Sequence, residues 1–258
     1  MRYITTRLDN GRLGNMLFQI SAVVGVAIKN DAIAVFPEWK YGKYFKSKLN
    51  TSPYINPTHH YHEQGFNYKP VHLDASLQEL VGAENEIYNL HGYYQSSKYW
   101  DHCESEIKKT LQFKDVLLRK PTYSHAETCA VHVRRGDYVG NDYYAQLGMD
   151  YYASAIACIK DNSLTNKFLI FSDDIEWCKK HFLGDEFYFS EGKSDIEDLA
   201  YMSSCDHLIM ANSSFSYWAG VLNFSNSKVV VAPKKDNWFG TKANLNVNDL
   251  YLDKWILI

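Results

Sequence analysis

The stretch from Cys129 to Asp137, CAVHVRRGD, decides the fold that we expect for this chain of 258 residues. Its first five residues form a short apolar run typical of a buried strand, and two arginines, a glycine and an aspartate follow where that strand ends. Further apolar runs alternate with stretches of helical periodicity. The predicted strands are Cys129–Val133, Phe168–Phe171, Phe187–Phe189, His207–Met210 and Val229–Ala232, and the predicted helices are Asp150–Lys160, Ile175–His181, Asp195–Ser204 and Phe215–Leu222. This alternation predicts a parallel sheet covered on both faces.

The first half of the chain begins in the same way. Met1–Thr6 predicts a strand, and Asn15–Lys29 predicts a helix with apolar residues along one side. Ala32–Phe36 predicts a second strand. Residues 37–125 are irregular and rich in Tyr, His, Asn and Pro, which suits either loops around a binding site or ordinary connections. Within them, a helix is predicted over Glu104–Leu118.

Composition narrows the class of protein. Hydrophobic residues make up 46% of the chain, which suffices for a buried core, and the net charge of −3 without a basic tail disfavours nucleic acid as the main ligand. The five cysteines lack metal-binding spacing, so we expect free thiols in a reducing cytosol. The longest early apolar run, Ile20–Ile28, is too short to span a bilayer and no secretory signal is visible. We therefore expect a cytoplasmic protein.

Four turns attract attention, because ligands of parallel sheets bind beyond the carboxyl ends of strands. In His132–Asp137, a guanidinium suits phosphate through its planar fork, Gly136 permits a sharp turn, and Asp137 either orients an arginine or accepts a proton. An Arg–Asp pair that fastens the loop is the alternative. In Ser172–Asp174, adjacent carboxylates suit a metal or a nucleotide base, or one of them caps the next helix.

The other two turns precede predicted helices. Ala211–Ser216 places small hydroxyl residues at a helix start, where backbone N–H groups bind phosphate or a serine acts as the cap. Asp9–Asn15 carries two glycines around Arg12, without the spacing of a P-loop or of GxGxxG. The sequence has no Asp-x-Asp motif, with which metal-dependent transferases commonly hold a donor pyrophosphate. Positive charge at a diphosphate would therefore come from arginine and helix ends.

Taken in order, these turns and a few further stretches resemble the α-1,2-fucosyltransferases of glycosyltransferase family 11. The resemblance covers nearly the whole chain. The matching stretches are Gly11–Asn15, His91–Ser96, His132–Tyr138, Ser172–Asp174, Met202–His207 with Asn212–Trp218, and Ala232–Lys235 with Trp238 and Phe239.

The resemblance implies an α/β fold of the GT-B type, in which two Rossmann-like domains face each other across a cleft. Residues 1–125 would form the acceptor-side domain and residues 126–258 the GDP-sugar-binding domain, with the last helix or strand able to pack back on the first. It also implies GDP-β-L-fucose as donor, inversion at the anomeric carbon, and no required metal or other cofactor. The expected acceptor position is a glycan hydroxyl, O2 of a galactoside.

The same resemblance implies which residues hold the donor. Arg134 would grip its β-phosphate, His132 would lie beside the nucleotide, and Asp173 would read guanine. The residues expected at the pyrophosphate open the helix that follows Met210. They are Asn212, Ser213, Ser214 and, through its backbone, Phe215.

A second group is implied at the reacting sugar, namely Arg12, Gly14 and Asn15. Asp137 is the first candidate for the base that takes the acceptor proton, with a structural partnership to Arg12 or Arg135 as the alternative. Rival functions are a transferase of another GDP-sugar or another fucosyl linkage, a glycan-binding module without catalysis, and a nucleotide-binding hydrolase. The expected partners are a nucleotide sugar and a glycan acceptor, without nucleic acid and with peripheral membrane contact left open.

Overall fold

The computed structural model describes residues 1–73, 85–118, 127–192, 194–243 and 245–258, which form two compact units. Unit 1 comprises Met1–Gln112 with the short segment Asn248–Tyr251, and unit 2 comprises Phe113–Val247 with Leu252–Ile258. The domain boundary predicted between residues 125 and 126 falls within 119–126, outside the described residues.

The sheet of unit 1 is parallel. Its strands are β1 (Arg2–Thr5), β2 (Ile33–Ala34), β3 (His59–His62) and β4 (Glu86–His91). In the described part of the unit they lie in the order β2-β1-β4-β3, with Thr5 opposite Asn89 and His62 opposite His91. The strand order changes direction between β1 and β4, so the loops that leave these two strands border a crevice at the carboxyl edge of the sheet.

Helix α1 (Leu13–Lys29) follows β1 and buries a broad apolar face in unit 1. Its side chains Leu17, Phe18 and Ile20 are fully buried, and each contributes about 1.5–3 kcal/mol to folding through that burial. Helix α2 (Glu104–Thr110) is shorter. Turns of 3₁₀ helix cover Gly42–Tyr44, Ser97–Tyr99 and Asp101–Cys103. Within the described ranges, no helix combines the length and the apolar character that a membrane crossing requires.

Unit 2 holds a second parallel sheet. Its strands are β5 (Thr128–Val133), β6 (Lys167–Ser172), β7 (Phe187–Phe189), β8 (His207–Ile209), β9 (Val230–Ala232) and β10 (Ile256–Leu257). Among the residues described there, the order is β10-β9-β8-β5-β6-β7. Numbered within the unit and read from the β7 edge, this is the order 3-2-1-4-5-6 of dinucleotide-binding folds, with its switch point between β5 and β8. The predicted fold class is confirmed as two parallel α/β units.

The helices of unit 2 are α3 (Met149–Asn162), α4 (Ile175–His181), α5 (Asp195–Ser204) and α6 (Ser214–Leu222). Every residue of β5 is buried, as expected for a strand that has neighbours on both sides in a covered parallel sheet. Phe168, Ile170 and Tyr152 pack against it and are at most 1% exposed. Turns of 3₁₀ helix cover Asp115–Leu117, Gly136–Tyr138 and Lys235–Asn237.

The predicted elements that differ most from the structure lie in the first half of the chain. In the second half, the helix predicted over Asp150–Lys160 spans Met149–Asn162, and β10 was not predicted. The helix predicted over Glu104–Leu118 ends at Thr110, because the buried Phe113 takes the chain into the core before a separate 3₁₀ turn. The strand predicted over Ala32–Phe36 is shortened to Ile33–Ala34, since Phe36 pairs with Asn50 and Ser52 instead. Residues 37–125 also contain β3 and β4. β3 lies at the edge of the sheet with exposed polar side chains, so it lacks an apolar run.

Candidate active site

The carboxyl ends of β5 and β8 flank the switch point of unit 2. β5 leads directly into the turn Arg134–Asp137, and β8 leads through Asn212 into the start of α6. Val133 lies opposite Ser172 in register, so the arginine turn and the aspartates after β6 emerge side by side. We call this region the switch-point site.

Arg134 is held by two carboxylates. Its Nη1 lies 2.8 Å from Asp173 Oδ2, and its Nη2 pairs with Asp137 Oδ1. The guanidinium carbon lies 5.2 Å from the centre of the Tyr138 ring, and the side chain is only 16% exposed. These contacts orient the planar fork and engage both of its Nη atoms. The Arg–Asp pairing that the sequence left as an alternative is present in the structure.

Asp173 is shared by both arginines of the turn. Its Oδ2 contacts Arg134, and its Oδ1 accepts the backbone N–H of Arg135 at 2.9 Å. A β-carbon on Gly136 would lie 2.4 Å from Asp173 Oδ2, so glycine is needed there for this close approach. The residue that the family resemblance assigns to guanine therefore also shapes the turn that carries Arg134.

Arg135 and Asp174 form a second pair with a structural role. Arg135 Nε donates to Asp174 Oδ2 at 3.0 Å, and its guanidinium stacks over Trp177 at 4.0 Å. Asp174 also caps α4 by accepting the backbone N–H of Trp177 at 3.2 Å. The hydrogen bond from Arg135, followed by that from Trp177, lowers the pKa of the Asp174 carboxyl. The capping role that the sequence suggested is thus observed for Asp174.

His132, near the end of β5, contacts the first turn of α6. Its ring is 5% exposed, Nδ1 lies 2.9 Å from Ser216 Oγ in α6, and the ring centre lies 5.5 Å from that of Phe215. Burial, and then the charge of Arg134, lowers the pKa of His132 from its usual 6.5 to about 3. The imidazole is therefore neutral at physiological pH and positions β5 against the start of α6.

The start of α6 offers an electropositive end at the same switch point. Ser213 is the N-cap, and its side chain accepts the backbone N–H of Phe215 at 3.3 Å. The Nδ2 of Asn212 donates to the carbonyls of Ala145 and Trp238, both at 3.0 Å, so its amide fastens two loops. Backbone N–H groups at the beginning of Ser214–Leu222 and the helix dipole favour an anion here.

One aromatic residue of this site was not singled out from the sequence. Tyr138 lies beneath the Arg134 guanidinium, stacks on Tyr144 with ring centres 3.8 Å apart, and donates its hydroxyl to the Asn212 carbonyl at 3.2 Å. It thereby ties the arginine turn to the residues before α6. Its place directly after Asp137 is the signal that would have found it.

In unit 1, the turn after β1 lies at the crevice between β1 and β4. Gly11 has a φ of +84°, and a β-carbon there would lie 2.0 Å from Asn15 Nδ2. Asn15 Oδ1 in turn accepts a hydrogen bond from Gln95 Nε2 at 2.8 Å. The structure thus gathers Arg12, Gly14 and Asn15 in one turn of unit 1. It gathers His132, Arg134, Asp137, Asp173, Asn212, Ser213, Ser214 and Phe215 in unit 2.

Across the residues that the structure describes, no three or more His, Cys, Asp or Glu side chains are arranged to hold a metal ion. Whether the reaction needs a metal is a separate matter, and metal independence stays a prediction.

Comparisons with known proteins agree on one family. The family model described as Glycosyl transferase family 11 matches residues 3–258. The O-antigen biosynthesis glycosyltransferase WbnK of Escherichia coli is 33% identical over 66% of this chain and 60% of its own. An alpha-1,2-colitosyltransferase of Escherichia coli is 31% identical over 65% of this chain and 61% of its own. Galactoside alpha-(1,2)-fucosyltransferase 1 of Homo sapiens is 23% identical over 84% of this chain and 65% of its own. The chain spans less than two thirds of the length of these relatives.

Solved structures share the fold. The apo form of POFUT1 superposes with a TM-score of 0.57 at 14% identity, covering 89% of this chain and 97% of the other. FUT1 of Arabidopsis thaliana, solved with GDP, gives a TM-score of 0.52 at 12% identity. The match covers 93% of this chain and 73% of the other. At these identities the likeness extends to the fold.

Proposed function

The chain belongs to glycosyl transferase family 11, and from this membership we propose that it transfers L-fucose from GDP-β-L-fucose to a glycan hydroxyl, O2 of a galactoside. The names of its relatives support this choice, since they include galactoside α-1,2-fucosyltransferases and an α-1,2-colitosyltransferase. The donor is assigned to unit 2 and the acceptor to unit 1. A cytoplasmic location stays part of the same proposal, to be checked by cell fractionation.

The observation that carries the proposal is the position of Arg134. It lies at the carboxyl end of β5, at the switch point, two residues after His132, whose ring contacts Ser216 in α6. A guanidinium fork and a helix start on either side of the switch point suit the two phosphates of GDP. Because both are ordered before the leaving group gains charge, each would lower the barrier, by roughly 3–4 kcal/mol per donor in comparable sites.

The two carboxylates on Arg134 suggest how the turn works during transfer. Arginine carries five N–H donors, and a diphosphate would accept hydrogen bonds from those that point to Asp137. The bond between the anomeric carbon and the β-phosphate oxygen breaks, and its electron pair leaves with GDP. The acceptor oxygen bonds to the opposite face of that carbon, which inverts it. Asp137, released from Arg134, accepts the acceptor proton.

A second candidate is transfer of colitose, because a relative that is 31% identical is an α-1,2-colitosyltransferase. Both reactions would use the same diphosphate contacts, and the two donors differ in the sugar. The glycan-binding module and the hydrolase remain as contrasting outcomes of the test below.

The test is to incubate the protein with GDP-fucose, GDP-colitose or GDP-mannose, with and without a β-galactoside, in EDTA and in magnesium. Released GDP and the linkage of the product are measured. The proposal expects a fucosyl-α-1,2-galactoside, little GDP release without acceptor, and equal rates in EDTA and magnesium. Faster colitosyl transfer would favour the second candidate. Acceptor-independent release would indicate a hydrolase, and glycan binding without GDP release a binding module.

A further inference from the structure

The loop that leaves β4 has a backbone that must be held in place. Gly92 has a φ of +153°, and Tyr94 has a φ of +52°, which is rare for a residue with a bulky side chain. A non-glycine residue in that region costs about 1–3 kcal/mol and persists where surrounding contacts compensate. This loop borders the crevice between β1 and β4.

Glu63 supplies the compensating contacts. It directly follows β3, and its backbone N–H donates to the His91 carbonyl at 2.8 Å. Its Oε2 accepts the N–H of Tyr93 at 2.6 Å, and its Oε1 accepts the N–H of Tyr94 at 2.9 Å. Charge-assisted hydrogen bonds of this kind are about twice as strong as neutral ones. A β-carbon on Gly92 would lie 2.4 Å from Glu63 Cβ, so the glycine admits the carboxylate.

The loop held by Glu63 ends at Gln95, which reaches the turn after β1. Gln95 is 7% exposed, and its Nε2 donates to Asn15 Oδ1 at 2.8 Å. Among the residues that the structure describes, its Oε1 has no hydrogen-bond partner although it is buried. Asn10 Nδ2 makes a second tie between the two loops, to the Gly92 carbonyl at 3.5 Å. The amide of Asn15 is thereby fixed with its oxygen toward Gln95 and its Nδ2 toward Gly11.

We propose that Glu63 and Gln95 are positioning residues: Glu63 fixes the loop after β4, and Gln95 fixes the Asn15 amide so that its N–H₂ group donates to a hydroxyl of the reacting sugar. This inference rests on the proposed glycosyl transfer, in which Asn15 contacts that sugar. Burying a carboxylate costs free energy, so the half-buried Glu63 at the sheet edge indicates that the geometry of this loop matters. The buried, unpaired Oε1 of Gln95 has the same implication.

The test compares Glu63→Gln, Gln95→Met and the double variant with wild type. Each single change keeps size and shape, but Glu63→Gln turns an amide N–H₂ toward one of the two backbone donors. Gln64→Ala is the matched control, because Gln64 is the next residue, is exposed, and contacts Lys69 rather than the loop. We measure kcat and KM for the acceptor, the Kd for GDP, the Tm, and the NMR resonance of the Asn15 side-chain amide.

We expect kcat/KM to fall about tenfold in each single variant, as the loss of about 1.4 kcal/mol of transition-state binding would produce. The kcat/KM of the double variant should equal that of the more impaired single variant, because both changes act through Asn15. The GDP Kd should match the control. The Tm should fall by about 2–4 °C in Glu63→Gln, because one hydrogen bond to the strained loop is lost. The Asn15 resonance should split or shift in the same variant. Additive losses, a parallel loss of GDP binding, or an unchanged Asn15 resonance with full transfer would overturn the proposal. If wild type transfers no sugar, the proposed function falls, and the Asn15 resonance alone decides the positioning role.

Discussion

Arg134 Nη1 lies 2.8 Å from Asp173 Oδ2, so the cation assigned to the donor phosphate is paired with the carboxylate assigned to guanine. With Asp137 on Nη2, and Arg135 with Asp174 beside them, three carboxylates face two guanidinium groups in these described turns. A diphosphate adds further negative charge. Donor binding and the placement of these carboxylates are therefore coupled.

Asp137→Asn separates the repulsion between this carboxylate and the diphosphate from its proposed role as the base. Removing a like charge near the diphosphate should tighten GDP binding about 5-fold, since about 1 kcal/mol of repulsion is lost. Loss of the base should lower kcat about 100-fold. Calorimetry measures the GDP affinity, and steady-state assays measure kcat. Asp142→Asn is the control, because Asp142 is an exposed carboxylate of the following loop paired with Lys242. A normal kcat in Asp137→Asn would remove it as the base.

Buried His132 should make the fold sensitive to acid. Its pKa is about 3 when folded, against the usual 6.5, so the unfolded chain binds a proton first as the pH falls. Stability should therefore decline from about pH 6.5 towards pH 3, by about 1.4 kcal/mol per unit for this residue. Urea unfolding of wild type and His132→Asn at pH 7 and pH 5 measures the difference. We expect wild type to lose about 2 kcal/mol more than the variant between these values. Equal losses would mean that His132 titrates normally.

Gly25→Ala should destabilise the protein although it lies within α1. Alanine normally improves a helix interior by about 1 kcal/mol relative to glycine. Here its β-carbon would lie 2.0 Å from the Tyr99 carbonyl oxygen and 2.9 Å from Trp100 Cα, both backbone atoms. We expect the free energy of unfolding to fall by at least about 2 kcal/mol, measured in urea. Gly42→Ala has open space around it and should change stability by less than about 0.5 kcal/mol. A stabilised Gly25→Ala would contradict the tight packing.

Unit 2 could be predicted well because its buried strands are continuous apolar runs. The helices over Ile175–His181 and Asp195–Ser204 have the predicted bounds. Unit 1 was harder, since β3 consists of His59–His62 at a sheet edge, where alternate side chains face solvent and nothing selects apolar residues. β4, with Glu86 and Asn89 in its sequence, is also too polar to signal a buried strand.

The sequence predicts the individual residues of the site, but it does not predict which of them contact each other. Arg134 and Asp173 each follow a strand in the sequence, but their contact depends on the register that sets Val133 opposite Ser172. Glu63 belongs to no motif, because its partners are the backbone N–H groups of a loop some thirty residues later. Interactions of this kind arise from strand order, which a local pattern does not carry.

The most direct test of the account is calorimetric titration of GDP, in EDTA, into wild type, Arg134→Ala and Arg134→Lys, with Arg135→Ala as the neighbouring-cation control. We predict that GDP affinity falls at least about 100-fold in Arg134→Ala, because two charge-assisted hydrogen bonds are lost. Arg134→Lys should also bind poorly, since it keeps the charge and loses the fork. Arg135→Ala should stay near wild type. Wild-type affinity in a correctly folded Arg134→Ala would contradict the assignment of this guanidinium to the diphosphate.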